Sequence, residues 1–279
     1  MTDHYAVIGN PIAHSKSPQI HKMFAQQTGQ DISYDKFEAP LGGFKEKIDE
    51  LRKKGYRGCN VTVPFKQDAW RLAAPTPRAL DAEAVNTLEF INGEIIGDNT
   101  DGVGLVRDIE QNLGIALKDK RILLIGAGGA AQGVLHPLLE ASQNPLVVKP
   151  LVISNRSPEK AASLKKNIEH HERFSLFSVE AVEFGDLNDE QFDVVINATS
   201  AGLKEEMPDI PESIFASGAL AYDMMYGRET PFMKFAREHG AAKVSDGLGM
   251  LVEQAAESFY IWRGVRPATT PAIATLRQS

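Results

Sequence analysis

Lys66 ends the run Asn60-Val61-Thr62-Val63-Pro64-Phe65-Lys66, where residue type and position together suggest a chemistry. Cys59 to Val63 alternates or runs apolar with β-branched residues and reads as a strand. Pro64 stops that strand and presets the first turn of a helix, so Lys66 falls in the turn. A cation there faces the positive end of the helix dipole, at a cost of ~0.3–1 kcal/mol. An ammonium kept where its charge is disfavoured is a candidate general acid or base. The other reading is an exposed lysine that snorkels into water. This stretch alone leaves both open.

A second polar group surrounds it. Gly97-Asp98-Asn99-Thr100-Asp101-Gly102 carries Asp101, which is either the N-cap of a following helix or the carboxylate that holds Lys66. Asn86 precedes a strand, where a turn role is the default. Ser15 and Ser17 bracket a helix start. Ser17 reads as its N-cap with Pro18 at the first position, which leaves Ser15 without a structural task. Two hydroxyls at a helix N-terminus make a seat for a substrate carboxylate. His14, His21 and the pair His170-His171 lack metal-ligand company, so no metal is expected.

Alternating strand and helix patterns must hold these groups in place. Strands are expected at Tyr5–Ile8, Ile32–Glu38 and Gly58–Val63, then at Thr87–Ile91 and Glu94–Gly97 around the hairpin signal Asn92-Gly93. Phe44–Lys54 has helical spacing. A helix at Val103–Leu113 leads to a second run of strands at Arg121–Ile125, Leu151–Ser154, Phe174–Ser178, Asp193–Ala198 and Ala219–Asp223. Their unbroken apolar character suits a parallel sheet covered on both faces. A last helix spans Met250–Trp262. The whole is an α/β pattern with a mixed sheet in its first part.

Gly126-Ala127-Gly128-Gly129-Ala130-Ala131-Gln132-Gly133 follows a strand and opens a helix, the context of a dinucleotide loop. The spacing departs from G-x-G-x-x-G, with Ala131 at the third small position, and a tight structural turn is the competing reading. The next strand ends at Asn155-Arg156-Ser157, with no acidic residue to hold a ribose 2′-hydroxyl. A guanidinium there fits a 2′-phosphate, which favours NADP over NAD. Ser157 before Pro158 also has the sequence of a helix cap.

Composition narrows the class. The 279 residues suffice for two cores, and 43% hydrophobic with 24% charged content is ordinary for a globular protein. A net charge of −7 disfavours nucleic acid or an anionic membrane as partner. The single Cys59 suits a reducing cytoplasm and, inside a strand, a buried apolar role. No targeting segment or membrane span is expected. The oligomeric state is not fixed by sequence, and a homodimer stays open.

The chain resembles the shikimate dehydrogenases. The residues that carry the resemblance are Gly9 to Pro18, Asn60 to Lys66, Ala84 to Thr87, Gly97 to Gly102, the glycine loop, Asn155 to Ser157, Asn197 to Ser200, Asp223 to Tyr226 and Asp246 to Val252. They run nearly end to end in family order. The resemblance implies reversible NADPH-dependent reduction of 3-dehydroshikimate to shikimate in aromatic amino acid biosynthesis, with a quinate/shikimate dehydrogenase of broader scope as the alternative. It implies an α/β two-domain fold. Residues 1–101, completed by 245–279, would form the substrate domain, and residues 102–244 a Rossmann-like NADP domain. Lys66 and Asp101 would be the catalytic pair, meeting in the cleft between two lobes. Ser15, Ser17, Thr62, Asn86, Tyr226 and Gln254 would bind substrate. Gly126, Ala127, Gly128, Gly129, Ala130, Asn155, Arg156, Ser157, Thr199, Met224 and Gly247 would bind the cofactor. Three small departures stand out: Glu83 where glycine often precedes Ala-Val-Asn-Thr, Ser157 for threonine, and a long stretch at Ala141–Pro150.

Overall fold

A computed structural model describes residues 2–143 and 149–278, so half of the long stretch noted at Ala141–Pro150 lies outside the described residues. The chain divides into two compact units, Met1–Gly104 with Leu251–Ser279, and Leu105–Met250.

The first unit contains β1 (Asp3–Gly9), α1 (Ser17–Thr28), β2 (Ile32–Glu38), α2 (Phe44–Lys53), β3 (Tyr56–Val61), α3 (Lys66–Leu72), β4 (Ala74–Pro75), α4 (Pro77–Ala82), β5 (Thr87–Ile91) and β6 (Glu94–Asp98). Its sheet has the order β2-β1-β3-β5-β6-β4. β1 pairs parallel with β2 and β3, and β5 runs antiparallel to both β3 and β6. The sheet is therefore mixed. Asn92 and Gly93 both take positive φ, 51° and 83°, as the two-residue hairpin between β5 and β6 requires. Ala6, Ile8, Cys59, Val61 and Leu88 pack with Ile48 and Leu51 of α2 and Ala69 of α3. Tyr5 stacks on Trp262, 4.5 Å between ring centroids. Phe24 of α1 meets Phe259 edge-on at 5.8 Å.

α5 (Asp101–Arg107) carries the chain into the second unit and ends in a π-turn, Asp108–Asn112. There follow β7 (Ile122–Ile125), α6 (Gly129–Ser142), β8 (Leu151–Ser154), α7 (Pro158–Glu169), β9 (Val179–Val182), β10 (Phe192–Asn197), β11 (Phe215–Asp223), α8 (Pro231–Glu238) and β12 (Lys243–Ser245). α9 (Leu248–Arg263) returns to the first unit, which α10 (Thr270–Arg277) closes. The second sheet is parallel throughout, in the order β12-β11-β10-β7-β8-β9. Read outward from β7, this is the doubly wound arrangement with its switch point between β7 and β10. Ile122 and Leu124 join one core cluster while Leu123 and Ile125 join another, so both sheet faces are covered.

Local structure departs from the sequence reading at three points. β3 stops at Val61, and residues 62–65 form a turn closed by the Phe65 N–H on the Thr62 carbonyl at 3.0 Å. Pro64 thus precedes the helix, whose N-cap is Phe65, and Lys66 is its first residue. Phe174–Ser178 is a series of turns, with Phe177 N–H on the Phe174 carbonyl at 2.9 Å. The strand follows it, at Val179. Phe174 is buried against His136 at 4.5 Å while Leu176 is 95% exposed, so its apolar residues do not share a sheet face. Finally, Ser157 stands at the N-cap of α7, but its side chain makes no capping hydrogen bond.

Candidate active site

In the first unit β1, β3 and β6 run in one direction and β5 in the other. The residues that follow β1, β3 and β6, and those that precede β5, therefore gather at one end of the sheet. These are the segments carrying Ser15 and Ser17, Thr62 and Lys66, Asp101, and Asn86. Backbone bonds fasten them together: Asn10 N–H to the Val63 carbonyl at 3.1 Å, Thr62 N–H to Ile8 at 2.9 Å, Val85 N–H to Lys66 at 3.0 Å and Asn86 N–H to Asp98 at 3.0 Å.

Lys66 Nζ donates to Asp101 Oδ2 and makes no other hydrogen bond among the described residues. The lysine side chain is 29% exposed and the aspartate 14%. This half-buried ion pair therefore keeps ammonium hydrogens free for an incoming oxygen. The other carboxylate oxygen, Asp101 Oδ1, accepts from Asn86 Nδ2 at 2.8 Å. Which way the Asn86 amide faces is settled by an unambiguous donor. The Thr100 backbone N–H points at Asn86 Oδ1, 3.0 Å away, so the amide nitrogen must face Asp101. Asp101 is the first residue of α5, and its own N–H is held by Asn99 Oδ1 at 3.0 Å.

Gln254 of α9 completes the group, its Oε1 accepting from Asn86 Nδ2 and Thr100 Oγ1, each at 3.4 Å. Ser15 and Ser17 stand at the start of α1, though not as the sequence suggested. Ser17 is the first helical residue, the N-cap is Lys16, and Ser15 Oγ accepts the Ser17 N–H at 3.3 Å. Ser15 thus does the local capping and also donates to Ser17 Oγ at 3.2 Å. The side chain of Thr62 is half-buried in the turn before α3. Tyr226 belongs to the second unit, is 37% exposed, and has no hydrogen bond among the described residues.

Sequence reasoning missed a buried layer beneath these side chains. Asn60 Nδ2 donates to Ser258 Oγ at 2.9 Å and to Thr87 Oγ1 at 3.2 Å, while its Oδ1 accepts from Tyr34 Oη at 2.7 Å. Thr87 Oγ1 lies 2.7 Å from Ser258 Oγ and 2.9 Å from Asn86 Oδ1. Every polar atom of Asn86 thereby has a partner, which fixes the amide that orients Asp101. Asn60 sits in the quoted heptapeptide, where nothing marked it off from its strand neighbours. Ser258 lies on a helix that also carries Glu253, Gln254 and Glu257, so it gave no separate signal.

The second unit presents its own constellation at the carboxyl ends of β7, β8 and β10. Gly126 takes φ +114°, a backbone that only glycine adopts easily. α6 starts at Gly129 with Gly128 as N-cap, and no side chain caps it. A Cβ on Gly128 or Gly129 would meet nothing within 4 Å, so the amides of this turn stay open to a ligand. Ala127 and Ala130 lie in the same turn. After β8, Asn155 Nδ2 donates to the Ser157 carbonyl at 3.0 Å, and exposed Arg156 makes no ion pair or hydrogen bond among the described residues. Thr199 is fixed by Asn197 Oδ1, which takes its N–H at 3.1 Å and its hydroxyl at 2.7 Å. Gly247 lies against the backbone at Met224, where a Cβ would fall 2.3 Å from the Met224 carbonyl oxygen. Asp223, fully buried, anchors this region through Thr230 Oγ1 at 2.6 Å and Asn197 Nδ2 at 3.1 Å, and burial pushes its carboxyl upward. Open amides, a free guanidinium and the absence of a carboxylate after β8 fit a dinucleotide carrying a 2′-phosphate.

Mixed-sheet unit, doubly wound unit and an ammonium–carboxylate pair together define an α/β oxidoreductase architecture, and comparison with known proteins gives the family. The model of the shikimate dehydrogenase substrate-binding domain matches residues 7–88, that of shikimate/quinate 5-dehydrogenase matches 108–205, and that of the shikimate 5′-dehydrogenase C-terminal domain matches 247–277. A shikimate dehydrogenase (NADP(+)) of Methylobacillus flagellatus is 61% identical over 99% of both chains. A Pseudomonas putida protein described as an Ael1 enzyme is 45% identical over 99% of this chain and 98% of its own, with a TM-score of 0.91. The shikimate 5-dehydrogenase of Thermus thermophilus in complex with NADP(H) and shikimate is 30% identical over 99% of both chains, with a TM-score of 0.84. The chain belongs to the shikimate dehydrogenase family. Among the described residues, no helix is long and apolar enough to cross a membrane.

Proposed function

We propose that the protein catalyses the reversible NADPH-dependent reduction of 3-dehydroshikimate to shikimate, a step of aromatic amino acid biosynthesis, and does so in a reducing cytoplasm. The observation that carries this reading is the Lys66–Asp101 pair with its free ammonium hydrogens, in a chain 61% identical to an NADP-dependent shikimate dehydrogenase. On this reading the unit of residues 1–104 and 251–279 serves the substrate and that of residues 105–250 the dinucleotide, with bounds three to six residues beyond those expected from sequence.

NADPH, when bound, supplies the hydride. Lys66 gives a proton to the oxygen of the substrate carbonyl as it becomes an alkoxide, and its positive charge stabilises the negative charge developing there. Asp101 aims the ammonium and compensates its charge. Asn86 holds Asp101, Gln254 in turn holds Asn86, and the two take ring hydroxyls together with Thr62 and Tyr226. Ser15, Ser17 and the first amides of α1 hold the ring carboxylate, away from the reacting carbon. On the second unit the open turn from Gly126 to Ala130 receives the pyrophosphate. Asn155, Arg156 and Ser157 receive the 2′-phosphate, and Thr199, Met224 and Gly247 line the remainder of the cofactor site.

Initial rates with shikimate and quinate, each with NADP and NAD, test the reading. Shikimate with NADP gives the highest kcat/KM of the four pairs. Quinate equal to shikimate would favour the broader quinate/shikimate dehydrogenase. Arg156→Gln removes a charge-assisted fork and raises KM for NADP about 10- to 100-fold while leaving NAD kinetics unchanged. An equal effect on both cofactors would take Arg156 away from the 2′-phosphate.

A further inference from the structure

Arg78 of α4 touches none of the residues assigned to substrate or cofactor. Its guanidinium forks onto Asp98, with Nε to Oδ1 at 3.1 Å and Nη2 to Oδ2 at 2.6 Å. Its third nitrogen, Nη1, donates to Glu257 Oε1 of α9 at 2.8 Å. Glu257 is held from the far side by Arg266. The side chains of Asp98 and Glu257 are each 9% exposed while Arg78 is 34% exposed, so two nearly buried carboxylates are bridged by a partly exposed guanidinium.

What Asp98 does with the orientation it is given matters for the site. It closes β6, and its carboxylate also accepts the Thr76 hydroxyl and the Asn99 N–H, both at 2.7 Å. Its carbonyl oxygen accepts the Asn86 N–H at 3.0 Å. Asn99, next in the chain, uses Oδ1 to hold the Asp101 N–H at 3.0 Å and Nδ2 to hold the Ala84 carbonyl at 3.1 Å. Val85, between Ala84 and Asn86, donates its N–H to the carbonyl of Lys66 at 3.0 Å. The turn fixed by the Asp98 carboxylate is therefore the common mount of Asn86 and Asp101, and the same segment ties back to Lys66. A carboxylate this buried needs a cation, and a planar fork fixes its rotation where a point charge would not.

We propose that Arg78 is a positioning residue for the acid–base pair, setting Asp101 and Asn86 in place through Asp98. The proposal rests on the roles given above to Lys66 and Asp101. A displacement of about 1 Å at a reacting group costs up to ~10²-fold in rate, so the fork is worth a measurable factor.

The test uses the full chain with Arg78→Lys, which keeps the charge that Asp98 needs but loses the fork, with Asp98→Asn, and with both changes. Arg78→Lys lowers kcat for shikimate about 10- to 100-fold, leaves KM for NADP within about twofold, and alters the pH profile of kcat. The double variant is no slower than Asp98→Asn alone, because both changes break one link. The nitrogen–proton NMR signal of the Asn86 side-chain amide, which reports its bond to Asp101, moves in Arg78→Lys without any turnover being required. A wild-type kcat in Arg78→Lys, losses that multiply in the double variant, or an unmoved Asn86 amide signal would each overturn the proposal. A wild-type protein that never oxidises shikimate would instead overturn the functional reading, while the amide signal still tests the placement by Arg78.

Discussion

Lys66→Ala lowers kcat for shikimate oxidation by about 10²–10⁴, the usual worth of a placed acid or base. The substitution removes the ammonium that Asp101 aims and nothing that anchors the substrate carboxylate, because Ser15 and Ser17 are held by each other and by the α1 backbone. KM for shikimate therefore changes much less than kcat. Asp101 loses its only ion-pair partner among the described residues, but its Oδ1 keeps the bond from Asn86, so the local structure persists. Binding of NADP, measured by fluorescence titration, stays at the wild-type value. A turnover within threefold of wild type would remove Lys66 from proton transfer.

The second large effect is on stability in acid. His21 of α1 is fully buried, stacked on Tyr34 at 4.2 Å and edge-on to Phe24 at 6.0 Å. Neither ring nitrogen has a hydrogen-bond partner among the described residues. Burial lowers its pKa from 6.5 to about 3, and the nearby Asn60 side chain opposes that only in part. The folded protein thus keeps His21 neutral where the unfolded chain protonates it. The unfolded state binds the extra proton between pH 6.5 and about 3, so stability is complete above 6.5 and is lost as pH falls through that window. The loss is on the order of 5 kcal/mol across the window. His21→Phe keeps an aromatic ring in an aromatic site and removes the titration. Urea unfolding of the two proteins gives curves that diverge below pH 6 by roughly 1.4 kcal/mol per pH unit, the variant being the more stable. Parallel curves would mean that His21 is protonated or hydrated in the folded state.

The fold was largely legible because its signals are local. The apolar runs at β7, β8, β10 and β11 announced a parallel sheet, and Asn92-Gly93 announced its hairpin. Errors arose where a side chain had two ways to satisfy itself. Ser17 has the chemistry of an N-cap, yet Ser15 supplies the oxygen and Ser17 starts the helix. Pro64 suits a helical first turn and instead sits in the turn before it. Phe174–Ser178 carries strand-like residues, but a run of turns lets Phe174 fill the pocket beside His136. At the site, the residues of greatest chemical character stood out, while their mutual placement did not. Lys66 and Asp101 lie 35 positions apart, and Asn86 and Gln254 lie 168 apart. The sheet, with β5 antiparallel to β3 and β6, brings the segments of Lys66, Asn86 and Asp101 to one end, and α9 adds Gln254. The layer of Asn60, Thr87, Thr100 and Ser258 was silent because a buried amide or hydroxyl looks in sequence like any other.

The account depends most on Lys66 and Asp101 acting as one device. A double-mutant cycle on kcat with Lys66→Ala, Asp101→Ala and the combined variant measures that coupling directly. Removal of either partner is expected to disable the pair, so the combined variant is about as slow as Lys66→Ala alone. Losses that multiply, each residue contributing its full factor in the absence of the other, would contradict the account.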